Sequence, residues 1–179
     1  MKKRTVEEMG RLTVNDFKAS DKTPLVVVLD QVRSAHNVGS VLRTADGFRL
    51  ERVLLCGISP TPPDTDLHKT ALGAEDSVDW QHFDDTLDAV RSLHGQGYCV
   101  LAVEQCEGSI PLQQFKAVQG TRYALVLGHE VTGVQQAVVD ACDGCLEIPQ
   151  FGTKHSFNVS VAGGIVLWEM FKQLNANQL

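Results

Sequence analysis

No apolar run in this chain approaches the roughly 18 residues that a membrane-spanning helix needs, so no membrane partner is expected. The opening residues, MKKRTVEEMGRLTV, are basic but lack the apolar stretch that a secretion signal places behind such charges. Five cysteines, an odd number in 179 residues, do not make a disulfide framework, and reduced thiols in the cytoplasm are the expected state. Surplus basic charge is missing too. The formal net charge of −6 excludes a protein that coats nucleic acid indiscriminately, while leaving room for a local basic site. Neither G-x-G-x-x-G after a strand nor G-x-x-x-x-G-K-[ST] occurs, which argues against a dinucleotide or nucleoside-triphosphate enzyme. Repeats, low-complexity tracts and internal linkers are absent as well. A single domain over residues 1–179 is expected, with a short helical extension over about residues 1–23.

What is present is an alternation of two patterns. LVVVLD (25–30), VLLC (53–56), YCVLAVE (98–104), YALVLG (123–128) and CLEIP (145–149) are short continuous apolar runs, the signature of strands covered on both faces. Between them, Val38, Val41, Leu42 and Ala45 fall at helical spacing. Leu87, Val90 and Leu93 mark a second helix, and Val134, Ala137, Val138 and Ala141 a third. Thr5-x-x-Glu8 has the spacing of a capping box, and Thr13-x-x-Asp16 is a second helix start. The proline-rich ISPTPPDTD (58–66) reads as a loop. Strands alternating with helices imply an α/β fold, a parallel sheet with helices on both faces.

Such sheets bind ligands beyond the carboxyl ends of their strands. Three of those ends carry polar loops: DQVRSAHNVGSVLRTADGF (30–48), GHEVTGV (128–134) and PQFGTKHSFNVSVA (149–162). The third runs into an apolar helix whose mouth holds Lys154, His155, Ser156 and Asn158. Taken singly, each group has a plain structural explanation. Asn37 can cap a helix, Gly39 can permit close packing, Arg43 can lie on a solvated face, and Glu130 can complement a helix dipole. Ser156 and Asn158 can cap the last helix. His36, His129 and His155 lack metal-ligand spacing, and no metal is expected. Cys142-Asp-Gly-Cys145 stands alone as a C-x-x-C before a strand, and reads as an incidental turn with a buried Cys145.

Taken together, the three loops resemble the signature motifs of the SPOUT superfamily of RNA methyltransferases, most nearly its SpoU/TrmH-type ribose 2′-O-methyltransferases. NVGSVLRTADGF is similar to motif one, LVLGHEVTGV to motif two and IPQFGTKHSFNVSVA to motif three. The resemblance covers about residues 24–172. His129 stands where asparagine is more usual, Gln150 where methionine is, and Phe157 where leucine is. Val131-Thr132 lacks a small residue often found before the motif-two glycine.

The resemblance implies a C-terminal trefoil knot, a rare exception among folds. It also implies S-adenosylmethionine as cofactor, bound by backbone groups rather than by a phosphate cradle. Leu127, Ile148 and Phe157 would wall the adenine. Gly128 and Gly152 would let the backbone approach the ligand, and Asn158 would add a polar contact. It implies Arg43 as the catalytic residue, oriented by Asn37 and Glu130, with Ser156 and Asn158 completing the site. A guanidinium stays protonated, so holding a phosphate and stabilising a developing alkoxide suits Arg43 better than acting as a base. Lys2, Lys3, Arg4, Arg11, Arg33, Arg43 and Lys154 are the candidate RNA contacts. A homodimer is expected, built partly on Trp168 and Phe171, with Arg43 of one subunit near the cofactor of the other. The length, near that of a catalytic domain alone, tilts the expectation toward tRNA over rRNA. The alternative is a knotted RNA-binding or assembly protein without catalysis.

Overall fold

The computed structural model describes residues 1–5 and 7–176; Val6, inside the N-terminal capping box, and residues 177–179 lie outside the described residues. Seven strands form one sheet: β1 (Thr23–Asp30), β2 (Leu50–Cys56), β3 (Trp80–Phe83), β4 (Tyr98–Val103), β5 (Ile110–Pro111), β6 (Arg122–Leu127) and β7 (Gly144–Glu147). Their order is β3-β2-β1-β6-β4-β7-β5, and every pairing is parallel. The helices are α1 (Val14–Ala19), α2 (Ala35–Gly47), α3 (Thr65–Ala71), α4 (Ala74–Ser77), α5 (Thr86–Gly95), α6 (Gln136–Ala141) and α7 (Val159–Leu174).

The continuous apolar run of β1 is explained by its place in the middle of the sheet. Leu25, Val27 and Leu29 point into a core shared with α2 and α7, while Val26 and Val28 point into one shared with α5 and α6. Each of these side chains is fully buried. Truncating one of the leucines to alanine would cost about 2–5 kcal/mol in lost transfer energy and cavity. The expected face of α2 is also in place, with Val38, Val41, Leu42 and Ala45 all buried.

Differences from the expected elements lie at the sheet margins. β3 and β5 are short edge strands whose side chains are not fully buried, so they lack an apolar run. The loop at 58–66 ends early, because Asp64 caps α3, accepting from the amides of Asp66 (2.9 Å) and Leu67 (2.8 Å). The capping box of Thr5 and Glu8 forms reciprocally, but it opens a short 3₁₀ turn, Glu7–Met9, rather than an α-helix. At the second start, Thr13 caps α1. Asn37 is not the cap of α2; Ser34 is, accepting from the Asn37 amide at 3.3 Å.

One carboxylate lies fully inside. Asp30, at the end of β1, accepts from Thr86 Oγ1 (2.6 Å), Gln135 N (2.8 Å) and Gln135 Nε2 (2.7 Å), so its burial is matched by partners. It fixes the start of α6 against the centre of the sheet.

Gly39 lets α2 and α3 touch. A Cβ there would come within 2.3 Å of the Leu67 carbonyl oxygen, which is backbone and cannot rotate away. Gly39→Ala should therefore destabilise the fold by roughly 1–3 kcal/mol, as overpacking does. Urea unfolding measures this, and an unchanged midpoint would contradict the close contact.

Candidate active site

At the carboxyl ends of β6, β4 and β7 lies a cavity of about 290 Å³. That is near the lower end for small-molecule sites. Its walls come from residues 127–133 after β6, Val103 to Gln105 after β4, Ile148 and Gln150 after β7, His155 to Phe157, and the first turn of α7. The loop after β6 folds tightly on itself. His129 N donates to Gly133 O (3.1 Å) and Gly133 N donates to His129 O (2.9 Å). Gly128 allows this, since a Cβ there would lie 2.1 Å from the Gly133 carbonyl carbon and the Val134 nitrogen. Gly133 itself has φ +69°, a conformation that favours glycine. His129 Nδ1 accepts from the Val131 amide at 3.1 Å, a turn-closing bond that an asparagine side chain could equally make.

The three polar loops meet at the cavity mouth through one chain of side chains. Glu130 Oε1 accepts from Asn37 Nδ2 (2.9 Å) and Ser34 N (2.9 Å), and its Oε2 accepts from Arg33 N (3.1 Å). Asn37 Oδ1 in turn accepts from Asn158 Nδ2 (3.2 Å), while Asn158 Oδ1 caps α7 by accepting from Ser160 N (3.0 Å). Partial burial alone would raise the Glu130 carboxyl. The bonds from Asn37, Ser34 and Arg33 outweigh it and hold the group below the ordinary glutamate value.

Of the residues proposed for the cofactor, Leu127, Gly128, Ile148 and Phe157 line the cavity. Gly152 does not; it sits in an exposed turn where a Cβ would meet open space, so no close approach requires a glycine. Asn158 also lies outside the lining, because its side chain is occupied by Asn37 and Ser160. Among the proposed catalytic groups, Glu130 and Ser156 face the cavity and Asn37 reaches it through Glu130.

Arg43 corrects the expected arrangement. Six residues along a helix turn through about 600°, so it points about 120° away from Asn37. Within the chain it forms no hydrogen bond with Asn37 or Glu130. Instead it lines a separate groove with Arg11 and Arg49, between the N-terminal helix and α2. Lys2, Lys3, Arg4, Arg33 and Lys154 are exposed outside both the cavity and that groove.

Glu104 and Gln105 are cavity residues that the motif reading passed over. Glu104 Oε2 accepts from Val134 N (3.0 Å), and Gln105 Nε2 donates to His155 O (2.7 Å). The available signal was their position, since a carboxylate ends the apolar run YCVLAVE on a strand beside β6.

A model of the SpoU rRNA methylase family matches residues 24–168. The chain belongs to the SpoU rRNA methylase family. This family consists of RNA methyltransferases that use S-adenosylmethionine. The chain is 29% identical to a 23S rRNA (guanosine-2′-O-)-methyltransferase of Vibrio vulnificus, over 96% of its own length and 68% of that protein's. It superposes with a TM-score of 0.79 on the S-adenosylmethionine-bound rRNA methyltransferase of Sinorhizobium meliloti, at 24% identity, covering 91% of this chain and 60% of that one. A TrmH/SpoU tRNA-modifying enzyme of A. aeolicus gives the same TM-score at 22% identity, covering 92% and 83%. At those identities the two structures speak for the fold. In this SpoU member the second and third motifs wall the cavity together with Val103 to Gln105, and the first motif joins them through Asn37.

The depressed Glu130 carboxyl sets a pH dependence. Its contribution to stability is complete above the ordinary glutamate range and is lost as pH falls through the lowered folded value. Glu130→Gln should cost roughly 1 kcal/mol at neutral pH, given the partial exposure of the site. Denaturant titrations of both proteins should show that gap closing as pH falls below the ordinary glutamate range. A gap that stays constant through that acid range would contradict the ionic role.

Proposed function

We propose that this SpoU-family chain transfers a methyl group to a ribose 2′-hydroxyl of RNA, and that the Glu130–Asn37–Asn158 network, which draws all three motifs to one cavity, carries the reading. The residues fit S-adenosylmethionine. Leu127, Ile148 and Phe157 give apolar walls for adenine, the 127–133 loop offers backbone groups, and the Glu104 carboxylate complements a cationic ligand. When bound, the cofactor supplies a methyl carbon made electrophilic by its sulfonium. The chain's own part is to hold the RNA and to stabilise charge. Arg43 grips the phosphate beside the target ribose in a planar fork and offsets the negative charge that grows on the 2′-oxygen. Arg11 and Arg49, in the same groove, extend the phosphate track, and Lys2, Lys3, Arg4, Arg33 and Lys154 are candidate outer contacts. Ser156 faces the cavity as a polar contact at the rim.

Arg43 lies outside the cavity of its own chain, which supports a homodimer in which the groove of one subunit serves the cavity of the other. A surface for it is present. Val161, Ile165 and Trp168 form an apolar stripe on α7, at 51%, 37% and 49% exposure. Phe171 stacks on Phe48 within the chain, with ring centroids 4.9 Å apart, and Trp168 packs at the edge of that pair, 5.9 Å from Phe48, while keeping about half of its surface exposed. The return of the chain from β7 to α7, which packs on α2 and β1 at the centre of the sheet, supports the trefoil knot. We read the whole as one domain with residues 1–23 as its helical extension. Among the described residues no helix is long and apolar enough to cross a membrane. A cytoplasmic location accompanies an RNA substrate.

The deciding experiment incubates the protein with labelled S-adenosylmethionine and RNA from cells lacking the modification, with tRNA and rRNA as separate arms. A methylated tRNA is the expected product. Resistance of one linkage to alkaline hydrolysis identifies a ribose methyl. Cofactor binding without transfer to any RNA would favour the non-catalytic alternative. Arg43→Ala should lower the single-turnover rate by about 10²–10³, as removal of one pre-organised donor does, with S-adenosylhomocysteine affinity unchanged. Arg43→Lys, which keeps the charge and loses the fork, should remain strongly impaired. A wild-type rate in the alanine variant would remove Arg43 from the mechanism. Light scattering should give twice the 19.6 kDa chain mass, and a monomer at micromolar concentration would defeat the shared site.

A further inference from the structure

The C-x-x-C cysteines are not the pair that meets. Cys145 is only partly buried on β7, not the buried core thiol expected from the sequence, and its Sγ lies 3.2 Å from Cys106 Sγ in the turn after β4. We propose that Cys106 and Cys145 are a disulfide-forming pair, oxidised by a hydroperoxide, whose closure weakens cofactor binding at the neighbouring cavity.

Access and position carry the idea. Gln105, Glu107 and Gly108 around Cys106 are exposed, so a small oxidant can reach the turn. No group of three or more ligating side chains suited to a metal is found among the described residues, which favours thiol chemistry between the two sulfurs. Both strands that carry the pair end at the cavity. Glu104 and Gln105 precede Cys106, and Ile148 and Gln150 follow Cys145. Cys145 Sγ also donates to the Glu104 carbonyl at 3.2 Å, while the Glu104 side chain holds the Val134 amide of the motif-two loop. The same carboxylate packs against Gly133, where a Cβ would come within 2.0 Å of its Oε2, so Glu104 and the motif-two loop lie in close contact.

The chemistry balances. The Cys106 sulfur attacks a peroxide oxygen, the O–O bond breaks, and a sulfenic acid and one water form from hydrogen peroxide. The Cys145 sulfur then attacks Cys106, the S–S bond forms as the S–O bond breaks, and the departing oxygen leaves as a second water with the Cys145 proton. Two thiols lose two electrons and two protons, and the peroxide is reduced to two waters. A dithiol reverses the step by exchange. Burial, with the adjoining Cys106 thiol, pushes Cys145 up, and the exposed residues on both sides of Cys106 make it the sulfur that an oxidant meets first. Oxidation removes the S–H donor from the Glu104 carbonyl and draws the turn toward β7, which shifts the anchor of the motif-two loop.

The effect on the cavity rests on the cofactor assignment; the bridge does not. The full chain is treated with hydrogen peroxide, mapped as non-reduced peptides, and titrated with S-adenosylhomocysteine before oxidation, after it, and after dithiothreitol. A Cys106–Cys145 crosslink should appear, affinity should fall roughly three- to tenfold, as for one lost hydrogen bond, and dithiothreitol should restore it. Cys106→Ser and Cys145→Ser should bind in the reduced state and ignore peroxide, whereas Cys142→Ser should respond like the parent. Absence of the crosslink, a crosslink with unchanged affinity, or a peroxide response surviving in Cys106→Ser each overturns the proposal. Failure of the reduced protein to bind S-adenosylhomocysteine at all overturns the cofactor assignment and the cavity effect with it, and the peptide map still decides the bridge.

Discussion

The site depends on one place where backbone passes backbone. At Gly128 the chain runs against Gly133 and Val134 so closely that no side chain fits between them. This contact turns the loop after β6 back on itself, aims Glu130 toward α2, and leaves the concave side of the loop as a wall of the cavity. Polar side chains then join around it. Asp30 secures the far end of the loop from beneath through Gln135, Glu104 secures its Val134 amide, and Glu130 ties its tip to Asn37. Both carboxylates that face inward from strand ends serve backbone amides, in keeping with the rule that buried polar groups are matched.

Much of the architecture was legible in the sequence because the central strands are covered on both faces, and that leaves an uninterrupted apolar run. Edge strands receive no such cover, so WQHF and the two residues of β5 carry no comparable signal. The three loops of the candidate site were legible as motifs, but their geometry was not. Helical phase decides which side chains on α2 share a face, and spacing within a motif does not announce it. Arg43 and Asn37 belong to one motif yet face different spaces. Gly39, in contrast, was readable as a packing residue, and the contact with α3 is what that reading required.

Cysteine placement teaches a similar lesson. Cys142 and Cys145 are neighbours in sequence, but Cys142 caps the end of α6 whereas Cys145 lies on β7. Cys145 consequently meets a thiol from the adjacent strand's exit, 39 residues earlier in the chain. Sheet order, β4 beside β7, determines the partner.

The long reach of the network at the cavity mouth has a consequence for synthesis. Asn37 meets Glu130 across 93 residues and Asn158 across 121. A ribosome adding about 5–20 residues per second makes those partners roughly 5–25 seconds after Asn37. During that interval α2 has left the ribosome with its polar end unmatched, and β1 waits for β6, its neighbour on one side. The nascent chain therefore carries its first motif long before a site exists, with only β2 and the helices near it in sequence at hand to cover the apolar flank in the meantime.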